Sequence, residues 1–136
     1  MSKQARVDLG LLVLRIGLGA MFIVAHGLPK LLGGPDRWKA VGQAMSALGI
    51  HFAPLAWGLA AALSEFGGGI LLVLGLFTRM TSLVMTFTMF VATAQHFAQG
   101  HTLLQASHSI EVGIALVALA LMGAGAHSLD RRLGKA

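Results

Sequence analysis

Four stretches of this chain are apolar over about the ~20 residues that a helix needs to cross a bilayer's hydrocarbon core. The first runs over about 9–28 (Leu9 to Leu28) and contains one charge, Arg15. The second, about 54–77 (Pro54 to Phe77), contains Glu65, and the third, about 80–97 (Met80 to Phe97), contains none. The fourth, about 107–126 (Ser107 to Ala126), has Glu111 near its start. The joint at Thr78–Arg79 is so short that the second and third helices should form an antiparallel hairpin. The longer connection, Pro29 to Ala53, carries its own pattern. Pro35-Asp36 can start a helix, Trp38, Val41, Met45 and Leu48 recur at helical spacing, and Gly49 can stop it. A short amphipathic helix over about 36–48 lies on a membrane surface more often than it crosses one. The predicted fold is all-α: one domain over residues 1–136, a four-transmembrane-helix bundle with a short interfacial helix between helices 1 and 2.

Composition supports this reading. Hydrophobic residues are 56% of the chain and charged residues 11%, against ~25% charged in a typical soluble domain. The net charge of +5 would suggest nucleic acid, but the ten Lys and Arg lie singly or in pairs at segment ends. Membrane proteins distribute their topology signals in that way, and no nucleic-acid partner is expected. Four spans put both termini and the 78–79 turn on one side, with Lys3, Arg6, Arg79, Arg131, Arg132 and Lys135. Lys30, Arg37 and Lys39 fall on the other. Six against three favours cytoplasmic termini, with the interfacial helix and the loop from Gln95 to Gln105 facing outward. The first apolar run is as long as a span and lacks a small-residue cleavage site, so it reads as a helix that stays. There is no cysteine, so dithiol chemistry and thiolate-held metal clusters would need another protein.

Charges inside a bilayer cost at least ~2.5 kcal/mol each on insertion scales, and they persist when paired or useful. Arg15 and Glu65 sit on helices of opposite direction and can meet near the midplane, as a binding element or as a salt bridge that specifies the fold. Arg15 can instead snorkel to the surface and leave Glu65 unpaired. A second polar group lies outward. Arg15, Gly19, Phe22 and His26 share one helix face, and Lys30 follows a turn later. His96 ends a weakly polar stripe on helix three with Thr86, Met89 and Thr93, and His108 and Glu111 share a face of helix four. These groups can form a small-molecule or proton-handling pocket. Single histidines near helix ends also simply meet water at the interface, which suits His101, His108 and His127, and His51 reads as a loop residue. No HxxxH or HExxH spacing occurs, so neither haem nor metal is expected. Ala56, Ala60, Ser64 and Gly68, spaced by four, read with Gly67-Gly68-Gly69 as a helix-packing seam.

Several pieces together resemble the DoxX family of small bacterial membrane proteins. They are Leu14-Arg15-Ile16-Gly17-Leu18-Gly19, His26-Gly27-Leu28-Pro29-Lys30-Leu31, Glu65-Phe66-Gly67-Gly68-Gly69 and Leu74-Gly75-Leu76-Phe77-Thr78-Arg79. Glu111, Gly123-Ala124-Gly125 and Ser128-Leu129-Asp130 complete the pattern, which covers nearly the whole chain. The resemblance implies a four-helix membrane bundle in the bacterial inner membrane. It also implies a redox setting, since relatives are described as subunits of a thiosulfate:quinone oxidoreductase or as partners of soluble thiol enzymes. By that resemblance Arg15, His26, Lys30, Glu65, Arg79 and Glu111 match the family's polar pattern; His96 rests on spacing alone.

Two readings follow. In the first, the chain is a redox-associated membrane subunit that binds a quinone or similar lipid-soluble molecule between its helices through Arg15, His26, Lys30, Glu65, His96 and Glu111. It would then work with a soluble partner oxidoreductase and be incomplete as an enzyme. In the second, it is a non-enzymatic scaffold that anchors a partner complex, and its buried polar residues specify packing. Transport is a weaker third reading, because four spans are few and the halves show no inverted repeat. The small-residue faces permit a homo-oligomer.

Overall fold

The computed structural model describes residues 1–135, which form helices and no strand. Helix α1, Lys3–Met21, runs into a π-helical turn, Phe22–Gly27, and on into α2, Leu28–Leu32. Pro29 explains the widened turn. Proline has no N–H for the carbonyl four residues back, and its ring crowds that carbonyl, here on Ala25. A π turn takes up an extra residue, so the buried face slips by one: Leu11, Arg15, Gly19 and Phe22 are buried before it, and Gly27 rather than His26 after it.

Helix α3, Gly34–Gly42, carries Pro35 and Asp36 in its first turn and tightens into a 3₁₀ segment, Gln43–Leu48. Gly49 ends it in the left-handed conformation at φ 77°, as its position at the end of the pattern suggests. The α3 segment lies against the start of α4, Pro54–Leu74, so closely that Gly42 abuts the backbone of Pro54 and Gly58 abuts that of Trp38. A side chain at either glycine would meet backbone. Residues 34–48 are thus helical and packed on α4.

Gly75, at φ 65°, ends α4 three residues before the expected Phe77. After the turn, α5 covers Thr78–Ala98. Helix α6, Leu103–Met122, starts at a capping box between Thr102 and Gln105 and stops at Gly123. It therefore lies about one turn earlier than the expected 107–126, because the cap chemistry outweighs hydropathy at its start. A short α7, Leu129–Arg132, follows.

Three helical stretches are long and apolar enough to cross a membrane: Lys3–Leu32, Pro54–Leu74 and Leu103–Met122. Helix α5 matches them in length at 21 residues. Thr78, Thr81, Thr86, Thr88 and Thr93, with Gln95 and His96, make it more polar. One buried cluster, Leu11, Phe22, Leu72, Met85, Met89, Leu116 and Leu119, draws on all four long helical stretches. Outside, Val13, Met21, Val24, Leu63, Phe90, Ile114 and Leu121 are exposed. That much apolar surface suits lipid rather than water. The expected seam of Ala56, Ala60, Ser64 and Gly68 is corrected: Ala56 and Ala60 are exposed, and Gly58, Ala62, Gly68 and Gly69 are buried. Helix–helix contact follows the face that holds the closest backbone approaches, such as Gly69 against Gly19.

Candidate functional site

The slipped face of the first helix sets the site. Gly27 packs against the backbone of Phe66, which brings the end of α1 down onto the middle of α4. One turn later Lys30 points inward, and its Nζ pairs with Glu65 Oε2 at 2.5 Å. Glu65 is 2% exposed. Among the described residues this is the one ion pair, and no donor reaches Glu65 Oε1. The Trp38 indole N–H donates to the Lys30 carbonyl at 3.0 Å, so α3 fixes the backbone that carries the lysine.

The pair forms part of the wall of a cavity of about 180 Å³ between the α3 segment, α4 and α5. Met45, Trp57, Val91 and Ala92 give it an apolar lining. Ser64 and Thr88 also line it, their hydroxyls hydrogen-bonded to each other at 3.0 Å. Ala60, Val84 and Phe87 line it and are also exposed on the bundle's outside. The cavity therefore opens sideways, onto the surface that lipid would cover.

The expected Arg15–Glu65 pair does not form. Arg15 is fully buried at 0% exposure. It donates to the carbonyls of Leu72 at 3.0 Å, Val73 at 3.4 Å and His127 at 2.7 Å. The cause is register. Gly19 meets Gly69 and Gly27 meets Phe66, so Arg15 falls beside Leu72, about 10 Å along α4 from Glu65 at ~1.5 Å per residue. There it satisfies the last carbonyls of α4, where a cation is favoured by the helix dipole.

The remaining candidates separate into two places. The His26 ring stacks on that of His108, with centroids 5.2 Å apart, and tilts against Phe22. His96 Nδ1 lies 2.8 Å from His101 Nδ1, beyond the end of the cavity. Glu111 is exposed on α6. Of the six candidates, the cavity thus gathers Lys30 and Glu65, His26 approaches α6, and Arg15, His96 and Glu111 stand elsewhere. No three His, Asp or Glu side chains converge to hold a metal ion among the described residues.

The sequence assigned no role to two acids that the fold uses. Asp130 is 5% exposed and accepts from Phe77 N–H at 2.7 Å and Thr78 N–H at 2.8 Å, capping α5. Asp8 accepts from Ala126 N–H at 2.9 Å. Their signal was faint, since each lies near a helix end where a carboxylate is unremarkable. Ser64 was legible only as a small residue, and its partner Thr88 not at all.

Residues 10–100 match the DoxX family model. The inner membrane protein YqjF of Escherichia coli strain K12 is 35% identical over 133 residues, covering 94% of this chain and 95% of that protein. The inner membrane protein YphA of the same strain is 33% identical over 130 residues, covering 90% and 89%. No solved structure matches this chain.

Proposed function

This chain belongs to the DoxX family, and from that premise we propose that it is a bacterial inner-membrane protein whose lateral cavity takes the head of a quinone-like, lipid-soluble molecule. Helix α5 serves as the fourth span. Its threonines suit lipid because Thr86, Thr88 and Thr93 return their hydroxyls to the carbonyls of Ser82, Val84 and Met89. The α3 segment lies at the outer interface, and the Lys/Arg distribution puts both termini in the cytoplasm.

The observation that carries the reading is a buried ion pair in the wall of a sideways-opening apolar cavity. A dry cavity of about 150 Å³ already accepts a benzene-sized ring, so 180 Å³ suits one ring with small substituents. A hydrocarbon tail would leave through the opening beside Ala60 and Phe87. Lys30 can donate to a ring oxygen, and Ser64 can give a second hydrogen bond by turning its hydroxyl away from Thr88. A bound quinone would supply two-electron, two-proton redox chemistry. The electrons would come from a partner oxidoreductase, because the chain has no cysteine to carry them.

The test uses the full-length protein in lipid nanodiscs, whose two tryptophans are Trp57 in the cavity wall and Trp38, bonded to the Lys30 carbonyl. Added ubiquinone or menaquinone should quench Trp57 saturably and raise the melting temperature, and Glu65→Gln should abolish both effects. Absence of quenching and of a melting shift would sink the quinone reading. A scaffold reading is favoured by a different observation, the burial of Arg15 and Asp130 in bonds to backbone alone. It gains if Glu65→Gln lowers stability without altering any redox phenotype of the cell.

A further inference from the structure

At the bundle end that holds both termini, α1, the start of α5, the stretch Gly123–Ala126 and α7 enclose a groove of about 470 Å³. Arg79 and Arg131 line it. Both are exposed, and neither has a carboxylate within ion-pairing distance among the described residues. The Arg79 guanidinium lies over Gly123, where a Cβ would stand 3.3 Å from its Nε.

The acids of this end offset its cations only in part. Asp8, which also lines it, turns Oδ1 to Ala126 N–H and Oδ2 to the Gln4 amide. Asp130 gives both oxygens to the N–H groups of Phe77 and Thr78. Lys3, Arg6, Arg132 and Lys135 stand at the same end, so six exposed cations, besides the buried Arg15, outnumber the two acids. Val7, Leu11 and Met122 make the rest of the wall apolar. The groove is thus cationic at its rim and greasy along one side, which matches an amphiphile carrying a phosphate.

We infer that this groove binds the headgroup phosphate of an anionic phospholipid, with Arg79 and Arg131 as the clamp and the apolar wall receiving the first methylenes of its chains. Arginine suits the role because its planar fork donates two hydrogen bonds to one phosphate. Basic pockets between membrane helices hold acidic headgroups by the same means.

The experiment measures lipid binding to the detergent-purified full-length protein by native mass spectrometry and by melting temperature. Phosphatidylglycerol should bind and raise the melting temperature, and zwitterionic phosphatidylcholine and inorganic phosphate should do neither. Arg79→Gln and Arg131→Gln should each weaken phosphatidylglycerol binding about fivefold, and Arg132→Gln, outside the groove, should leave it unchanged. Circular dichroism and gel filtration confirm that each variant is folded before it is compared. The inference is overturned if the two lipids bind equally, or if Arg132→Gln weakens binding as much as Arg79→Gln. It is also overturned if inorganic phosphate alone reproduces the shift, which would make the ligand a free anion rather than a lipid.

Discussion

The two ends of the bundle bury charge in different ways. At one, Glu65 and Lys30 face each other beside a cavity, and one carboxylate oxygen is left without a donor. At the other, Arg15, Asp8 and Asp130 form no ion pair with one another; each binds backbone. Arg15 closes the end of α4 and reaches the carbonyl of His127, and Asp130 closes the start of α5. Between them they clamp the α4–α5 turn to the first helix and the C-terminal segment. The difference teaches that a buried charge is not by itself a sign of a site. Charged groups bonded to the backbone of helix ends hold the fold, and a pair set against open volume keeps capacity for a ligand.

Substitutions can sharpen or break this contrast. The largest effect should come from Arg15→Gln, which strips donors from buried carbonyls and should cost about 3 kcal/mol of stability. Unfolding in sodium dodecyl sulfate would measure it, and quinone quenching of Trp57 in the fraction that remains folded should be unchanged. A loss of quenching there would tie the two ends together. Next, Gly27→Ala forces a methyl group against the backbone of Phe66. It should cost about 2 kcal/mol and also lift Lys30 from Glu65, so stability and ligand binding fall together. Asp130→Asn should cost about 1 kcal/mol through the weakened cap of α5, again with binding intact. Glu65→Gln should behave in the opposite way, moving stability less than Arg15→Gln does and removing ligand binding. If it instead destabilises as strongly as Arg15→Gln with no effect on binding, the two ends are alike and the cavity loses its claim. The smallest effect should be that of Glu111→Gln, exposed on α6, within about 0.5 kcal/mol and silent in binding.

Much of this was legible in the sequence. The long helices appear in order, and Gly49 stops the segment after α3. The pairing of charges was not legible. Counting residues from apolar ends placed Arg15 and Glu65 at similar depth, but the helix begins at Lys3 and meets α4 in a register that sets Arg15 beside Leu72. The small-residue stripe failed for a related reason. Glycine and alanine are spaced by four on more than one face of α4, and spacing does not say which face a neighbour takes.

What the sequence determined by itself is what local chemistry can decide. Apolar runs of span length, Pro35, Gly49, Gly75 and the Thr102–Gln105 box settle where helices begin and end, because each acts on its own backbone. The tertiary structure alone decided which helix faces meet and at what height. That depends on backbone approaches at Gly19, Gly27, Gly42 and Gly58 and on the π turn that rotates Lys30 inward. Hydropathy averages over a helix turn and carries no record of a one-residue slip. That slip is what sets Gly27, rather than His26, against Phe66 of α4.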